Sequence, residues 1–273
     1  MLKVGMAHFR TNEWEGQQLD IPFITPLTLP NLRLFEFIGH SNYLETLLPW
    51  VTTLLLEKLQ ITFLPYQISL SPTYALPCLL QFIRKADGLG LGSVKFLFAK
   101  CVATAWVFPQ ERARSFVFCL RITTSPLGSQ ASETARIFEY LRPAFSMVAD
   151  LTINYSGHSW FHVAEPIQWR SLFGTLNHVK TLHVHGRFTE NLLRSLLSDG
   201  EPLPEVLPDL QVLKCPVGCD ASDAFATFVD ACKAAVHPIR LIAVDPRHVL
   251  QPTLAYDMRP GHLSLLWLRV PIR

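Results

Sequence analysis

The most regular feature of the chain is a spaced apolar triplet, apolar-x-x-apolar-x-apolar. It occurs as Val117-Phe-Cys-Leu120-Arg-Ile122, Val148-Ala-Asp-Leu151-Thr-Ile153, Val179-Lys-Thr-Leu182-His-Val184 and Leu210-Gln-Val-Leu213-Lys-Cys215. The first positions, 117, 148, 179 and 210, stand 31 residues apart. A further step of 31 reaches Leu241, where Leu241-Ile-Ala-Val244 keeps the first two apolar positions and Pro246 interrupts the third, predicting a last strand. Upstream copies begin at Leu32, Leu56 and Leu91, with steps of 24, 35 and then 26 to Val117. Periods in this range belong to stacked repeats of one strand and one helix, and loops absorb the irregular steps. Within a copy, Leu151 and Ile153 point to one side of a strand while Asp150, Thr152 and Asn154 point to the other.

Between the triplets the apolar spacing changes to that of helices. Helices are predicted over Asn42 to Thr53, Tyr74 to Ala86, Ser132 to Leu141, Pro166 to Leu176, Thr189 to Ser198 and Ser222 to Ala235. Ser132 and Ser222 are placed to cap their helices, Pro166 suits a first turn, and Asp199-Gly200 would close the fifth helix. Leu29-Pro-Asn-Leu32 and Leu207-Pro-Asp-Leu210 each put a proline two residues before a triplet. Proline has no N–H for a ladder, so it suits the approach to a strand. The expected fold class is α/β: a leucine-rich-repeat-like solenoid, or horseshoe, with a parallel sheet on one face and helices on the other. Residues 1–25 read as an extended lead-in, 26–245 as the solenoid and 246–273 as an irregular tail whose run from His262 to Val270 carries Trp267.

Hydrophobic residues make up 49% of the 273 and charged residues 17%, which gives ample core and argues against disorder. The formal net charge is +2, and the nearest approach to a basic cluster is Arg112 with Arg114, so no nucleic-acid partner is expected. The apolar runs around Leu47 to Leu56 and Val102 to Phe108 are too short to cross a bilayer, so no membrane association is expected. Cys78, Cys101, Cys119, Cys215, Cys219 and Cys232 are scattered in apolar surroundings, as buried thiols of a reducing compartment would be. The N-terminus has no apolar signal stretch, and a cytoplasmic or nuclear location is expected.

Motifs that carry chemistry are weak. His183 and His185 share a strand face and could hold a metal, but no third ligand stands nearby. Cys215 and Cys219 lack a second pair for zinc. Gly88-Leu-Gly-Leu-Gly92 precedes a strand instead of following one, so it reads as a flexible turn and not a dinucleotide loop. There is no Gly-x-Ser-x-Gly elbow, P-loop or His-Glu-x-x-His helix. No catalytic residue, metal or cofactor is expected. Most of the tryptophans fit core or joints, with Trp160, in a loop after a strand, as a candidate exposed anchor.

Several segments resemble the leucine-rich-repeat-like C-terminal region of fungal F-box proteins. These are Leu29-Pro-Asn-Leu-Arg-Leu-Phe-Glu-Phe37, the stretch from Tyr43 to Phe63, Gln81-Phe-Ile-Arg84, Phe173-Gly-Thr-Leu-Asn-His-Val-Lys-Thr-Leu-His-Val184 and Val206-Leu-Pro-Asp-Leu-Gln-Val-Leu213. The resemblance covers roughly residues 25–245 and rests more on segment order than on any single motif. In that family an N-terminal F-box docks on the adaptor of a cullin-type ubiquitin ligase while the repeats select the substrate. The resemblance thus implies a non-catalytic protein-binding repeat domain. It implies a ligase adaptor as partner if an F-box is present elsewhere, since the 25 residues before the first repeat show no such module and the chain reads as the repeat half alone. By alternation, the binding face would be lined by Arg121, Asp150, Thr152, Asn154, Thr181, His183, His185 and Lys214. That mixture of charges suits protein more than a phosphate backbone. The alternatives are a degenerate fragment of such a protein with no partner of its own and, third, an enzyme of unknown type.

Overall fold

A computed structural model describes residues 1–5, 26–64, 76–87, 91–99, 102–110, 116–123, 127–156, 166–185, 189–197, 207–216, 223–234 and 239–244. The strands are β1 (Leu2–Gly5), β2 (Leu27–Leu29), β3 (Leu34–Gly39), β4 (Val51–Thr53), β5 (Lys58–Phe63), β6 (Leu91–Ala99), β7 (Val102–Pro109), β8 (Val117–Thr123), β9 (Asp150–Tyr155), β10 (Thr181–His185), β11 (Val212–Pro216) and β12 (Arg240–Val244). The helices are α1 (Ser41–Leu47), α2 (Pro77–Asp87), α3 (Leu127–Leu141), α4 (Pro166–Gly174), α5 (Thr189–Leu197) and α6 (Asp223–Ala234). Trp14, Trp160 and Trp267, Cys219, the cap at Ser222, the Asp199-Gly200 stop, Arg112, Arg114 and the tail lie outside the described residues.

The chain is α/β with a mostly parallel sheet. Ten strands form one sheet in the order β1-β3-β5-β8-β7-β6-β9-β10-β11-β12, and β2 pairs with β4 separately. Every pairing among the ten is parallel except those of β7, which is antiparallel to both β6 and β8. One side of the sheet presents Phe35, Phe37, Leu59, Ile61, Val94, Phe96, Leu151, Ile153, Leu182, Val184 and Leu213, all essentially without solvent exposure. All six described helices add to that same core, through Leu44, Leu79, Phe138, Trp169, Leu192 and Phe228 respectively. The helices therefore cover one side of the sheet, and each packs on the next along the chain.

One turn hydrogen bond recurs in the backbone before four of the strands. The N–H groups of Leu32, Val148, Val179 and Leu210 each donate to the carbonyl three residues back, on Leu29, Phe145, Leu176 and Leu207, at 3.1–3.2 Å. These turns use the first apolar position of the triplet to lead the chain into the strand. Just past them, the carbonyls of Arg33, Ala149 and Lys180 each accept two N–H groups from the next strand, at 2.8–2.9 Å. Register follows the triplet at the 31-residue steps, with Leu151 opposite Leu182 and Leu182 opposite Leu213.

Three departures from the sequence expectations concern the sheet. The step from Val117 to Val148 does not join neighbours: β8 pairs with β5, not β9, and β6 takes the place beside β9. In β8 both alternate sets, Val117 with Cys119 and Phe118 with Leu120, are apolar, so periodicity leaves its register open. The structure places Phe118, Leu120 and Ile122 opposite Leu59, Ile61 and Phe63. The final step is also shorter, since Leu241 lies opposite Leu213. Finally, Leu2–Gly5 of the expected lead-in is a sheet strand, parallel to β3 with Val4 opposite Phe37.

Helix limits shift as well. The helix expected over Asn42 to Thr53 ends at Leu47, followed by a 3-10 turn over Leu48–Trp50 and then β4. Pro49 cannot continue the ladder, and Val51, Thr52 and Thr53 favour a strand. The third helix starts at Leu127, so Ser132 is inside it and is not a cap.

The start of α2 is capped from another element. The Glu45 carboxylate on α1 accepts the backbone N–H groups of Cys78 at 2.8 Å and Leu79 at 2.9 Å. These belong to the first turn, where no intrahelical acceptor exists, and the negative charge also suits the helix dipole. Glu45→Ala is expected to cost about 1–2 kcal/mol, as loss of a helix cap does. Glu45→Gln should cost less, because the amide keeps one acceptor. Urea midpoints of the three proteins measure this, and an unchanged midpoint for Glu45→Ala would show that the bridge contributes nothing.

Candidate functional site

The side of the sheet away from the described helices carries the polar positions of each triplet. Parallel register aligns them in rows across the strands. One row runs Lys3, Glu36, Gln60, Cys119, Trp106, Lys95, Thr152, His183 and Lys214. The next row toward the C-terminal ends of the parallel strands holds Arg121, Thr104, Leu97, Asn154 and His185. The row on the other side holds Asp150, Thr181, Val212 and Arg240.

All eight residues read from the sequence as a binding face thus lie on this side. The structure gathers Asp150, Thr152, Asn154, Thr181, His183, His185 and Lys214 on three adjacent strands. It sets Arg121 apart, on β8, with β7 and β6 between it and Asn154. Lys95, Trp106 and Gln60 also lie on this surface and were missing from the sequence reading. Lys95 was legible, because alternation from Val94 and Phe96 turns it outward. Trp106 was not, because β7 reads as an undivided apolar run. Thr62, Thr104 and Cys119 are buried within this face.

At the β1 end the charges are paired. Lys3 Nζ lies 2.7 Å from Glu36, and the Gln60 amide donates to Glu36 at 3.2 Å. From β5 to β12 the face carries Lys58, Lys95, Arg121, Lys214 and Arg240 with Asp150 as the one described carboxylate. Burial lowers the pKa of Lys95. His183 is pushed down to about 4, first by burial, then by the charge of Lys214 and by His185, against a smaller opposing pull from Asp150. His185 is lowered by burial and by Lys95. The two rings stand 6.4 Å apart and 38° out of plane. Both are therefore neutral imidazoles at neutral pH, each with one N–H donor and one acceptor nitrogen.

No group of three or more His, Cys, Asp or Glu positioned for a metal occurs among the described residues. The two histidines are flanked by ammonium groups, which repel a cation. Burial pushes the Cys119 thiol up to about 11 and also raises that of Cys78, aided by Glu45. Neither forms a thiolate nucleophile at neutral pH. Gly92, read in sequence as part of a flexible turn, is instead buried in β6. Among the described residues, no helix is long and apolar enough to cross a membrane.

The His183 environment predicts a pH effect on stability. The unfolded imidazole takes up a proton near the ordinary 6.5, whereas in the folded chain it does so only near 4. Between these values the unfolded state binds more protons, so the fold loses stability as pH falls from 6.5 toward 4. Urea unfolding at pH 7 and pH 5 should show a lower midpoint at pH 5. His183→Thr should shrink that difference, and an identical pH slope in the two proteins would contradict the assignment.

Comparison of the chain with protein-family models, with curated proteins and with solved structures finds no match.

Proposed function

We propose that the chain is a non-catalytic protein-binding repeat domain, a leucine-rich-repeat-like solenoid that works like the substrate-recognition part of an F-box subunit in a cullin-type ubiquitin ligase. The observation that carries this reading is the side of the sheet away from the described helices. Polar side chains from adjacent strands stand in register rows there, half-exposed, over an apolar core packed on the other side. A rigid sheet presenting fixed rows suits recognition of a protein surface, because its side chains lose little freedom on binding. The backbone turns that recur before β3, β9, β10 and β11 favour the solenoid form, each repeat being a copy of one strand-and-helix unit. The partner would be met in the cytoplasm or nucleus.

The test is affinity capture from the source cells with the full chain and with the variant Arg121→Ala/His183→Ala/Lys214→Ala. Specific partners lost with the variant support the reading. Partners fully retained by the folded variant overturn the assignment of this face. Ligase adaptor and cullin subunits among the lost or retained partners would extend the F-box likeness to assembly. Small-angle X-ray scattering tests the shape independently: a curved, elongated particle is expected, and a spherical one overturns the solenoid.

A further inference from the structure

We propose that the sheet face from β6 to β11 receives an acidic, Asp/Glu-rich polypeptide segment, lying across the strands with its carboxylates on Lys95 and Lys214. This inference rests on the protein-binding reading of the face and specifies the chemistry of what binds.

The spacing supports it. Lys95, Thr152, His183 and Lys214 occupy one row on the four successive strands β6, β9, β10 and β11. Neighbouring strands lie about 4.8 Å apart, so the two lysines stand roughly 14 Å from each other across the sheet. An extended peptide advances about 3.4 Å per residue and turns every second side chain to the same side, so its positions i and i+4 are also roughly 14 Å apart. Two carboxylates at that spacing reach both ammonium groups, and the residue between them meets Thr152 and His183.

The charge balance supports it independently. Neither Lys95 nor Lys214 has an ion-pair partner among the described residues, although each is partly buried. Burial of the Lys95 ammonium without a counter-charge is unfavourable, and an arriving carboxylate relieves that cost. The same unmet positive charge is what helps keep His183 and His185 neutral. Neutral imidazoles, with the hydroxyls of Thr152 and Thr181 and the Asn154 amide, leave donors for carboxylate and peptide oxygens between the two cations. Asp150 in the adjoining row, opposite Thr181, sets a limit on the negative density that the face accepts. It disfavours a continuous phosphate backbone more than spaced carboxylates.

The experiment is fluorescence anisotropy with a labelled alternating Glu-Ser peptide, its Gln-Ser counterpart and an oligo-dT of equal length, at low and at physiological ionic strength. The Glu peptide should bind, weaken as salt rises and exceed the Gln peptide in affinity by about tenfold, the worth of two modest ion pairs. Lys95→Glu/Lys214→Glu should abolish the difference, and Lys95→Gln/Lys214→Gln should reduce it. Arg84→Glu on exposed α2 should leave it unchanged. Thermal melts by circular dichroism confirm that each variant is folded, and the neutral pair of substitutions serves if the reversal does not fold. No binding of the Glu peptide at low salt, equal binding of the Gln peptide or indifference to both lysine pairs overturns the proposal. Tighter oligo-dT binding that the same variants remove overturns it in favour of nucleic acid. A cellular partner lost with Arg121→Ala/His183→Ala/Lys214→Ala but not displaced by the Glu peptide removes the acidic segment and leaves the protein-binding face standing.

Discussion

Replacing Phe138 by alanine is expected to lower the unfolding free energy by roughly 3–5 kcal/mol, the range for deleting a fully buried aromatic side chain. Phe138, on α3, is wholly buried. Its ring centroid lies 5.1 Å from that of Phe96 on β6 and 4.6 Å from that of Phe145, which leads into β9. It is the middle link of a longer aromatic chain. Phe145 continues to Phe118 on β8 at 6.3 Å, while Phe96 continues through Phe98 to Trp169 on α4, at 5.9 and 5.1 Å. The chain thus ties the two flanks of the antiparallel hairpin to the helix that crosses it. A hole at its centre cannot collapse easily, because the rings beside it, Phe96 and Phe145, are themselves held by further rings on β6, β8 and α4. Against the usual 5–15 kcal/mol of a folded domain, the loss is a large fraction. Phe138→Leu keeps most of the volume and should cost under about 1.5 kcal/mol. Urea denaturation of both variants decides the matter: similar midpoints would mean that the site repacks and that the aromatic chain is not a structural tie.

Gly92→Val is the second substitution with a large expected effect, at or above the upper end of the roughly 1–3 kcal/mol typical of overpacking. A Cβ at Gly92 would sit 2.6 Å from Gln110 Cα and 2.9 Å from its Cβ. The first of these is backbone, so no rotamer change relieves the clash. Gly92 also stands where the β6–β7 register shifts, between Leu91 and Ser93, and its carbonyl accepts the Ala149 N–H at 2.9 Å. Moving it disturbs the hairpin and the start of β9 together. Gly92→Ala should show the same effect in smaller measure. Thermal unfolding of the two variants checks this, and a melting temperature equal to that of the parent protein in both would show that Gln110 yields freely.

The outcome at Gly92 also marks where sequence reading reached its limit. The parallel part from β9 to β11 was legible because each triplet has one clean polar set, Asp150, Thr152 and Asn154 or Thr181, His183 and His185, opposite one apolar set. That contrast fixes both the strand and its faces, and with them most of the candidate binding residues. In β7 and β8 the contrast fails. Val102 to Phe108 and Phe116 to Leu120 are largely apolar on both sides, because these strands sit in the middle of the sheet, with Thr104 and Cys119 buried even on the side away from the described helices. Periodicity then gives neither direction nor neighbour, and an equal step of 31 residues joins strands that do not touch. Glu45 was unreadable for a different reason: its ligands on α2 lie 33 and 34 residues ahead, beyond any local capping signal.

The hairpin has a consequence for how the chain is made. From β9 onward each strand finds its partner in the next strand synthesised. β5 does not, because its free edge waits for β8, with Lys58 pairing to Val117. At about 5–20 residues per second on the ribosome, the interval between those two residues is roughly 3–12 s. Throughout it, the edge of β5 carries unpaired backbone groups beside Leu59, Ile61 and Phe63, the kind of surface on which nascent chains associate. A translation pause or premature stop between 64 and 116 would hold that edge open to other chains, whereas a stop after β9 would release a sheet in which β5 is already paired with β8.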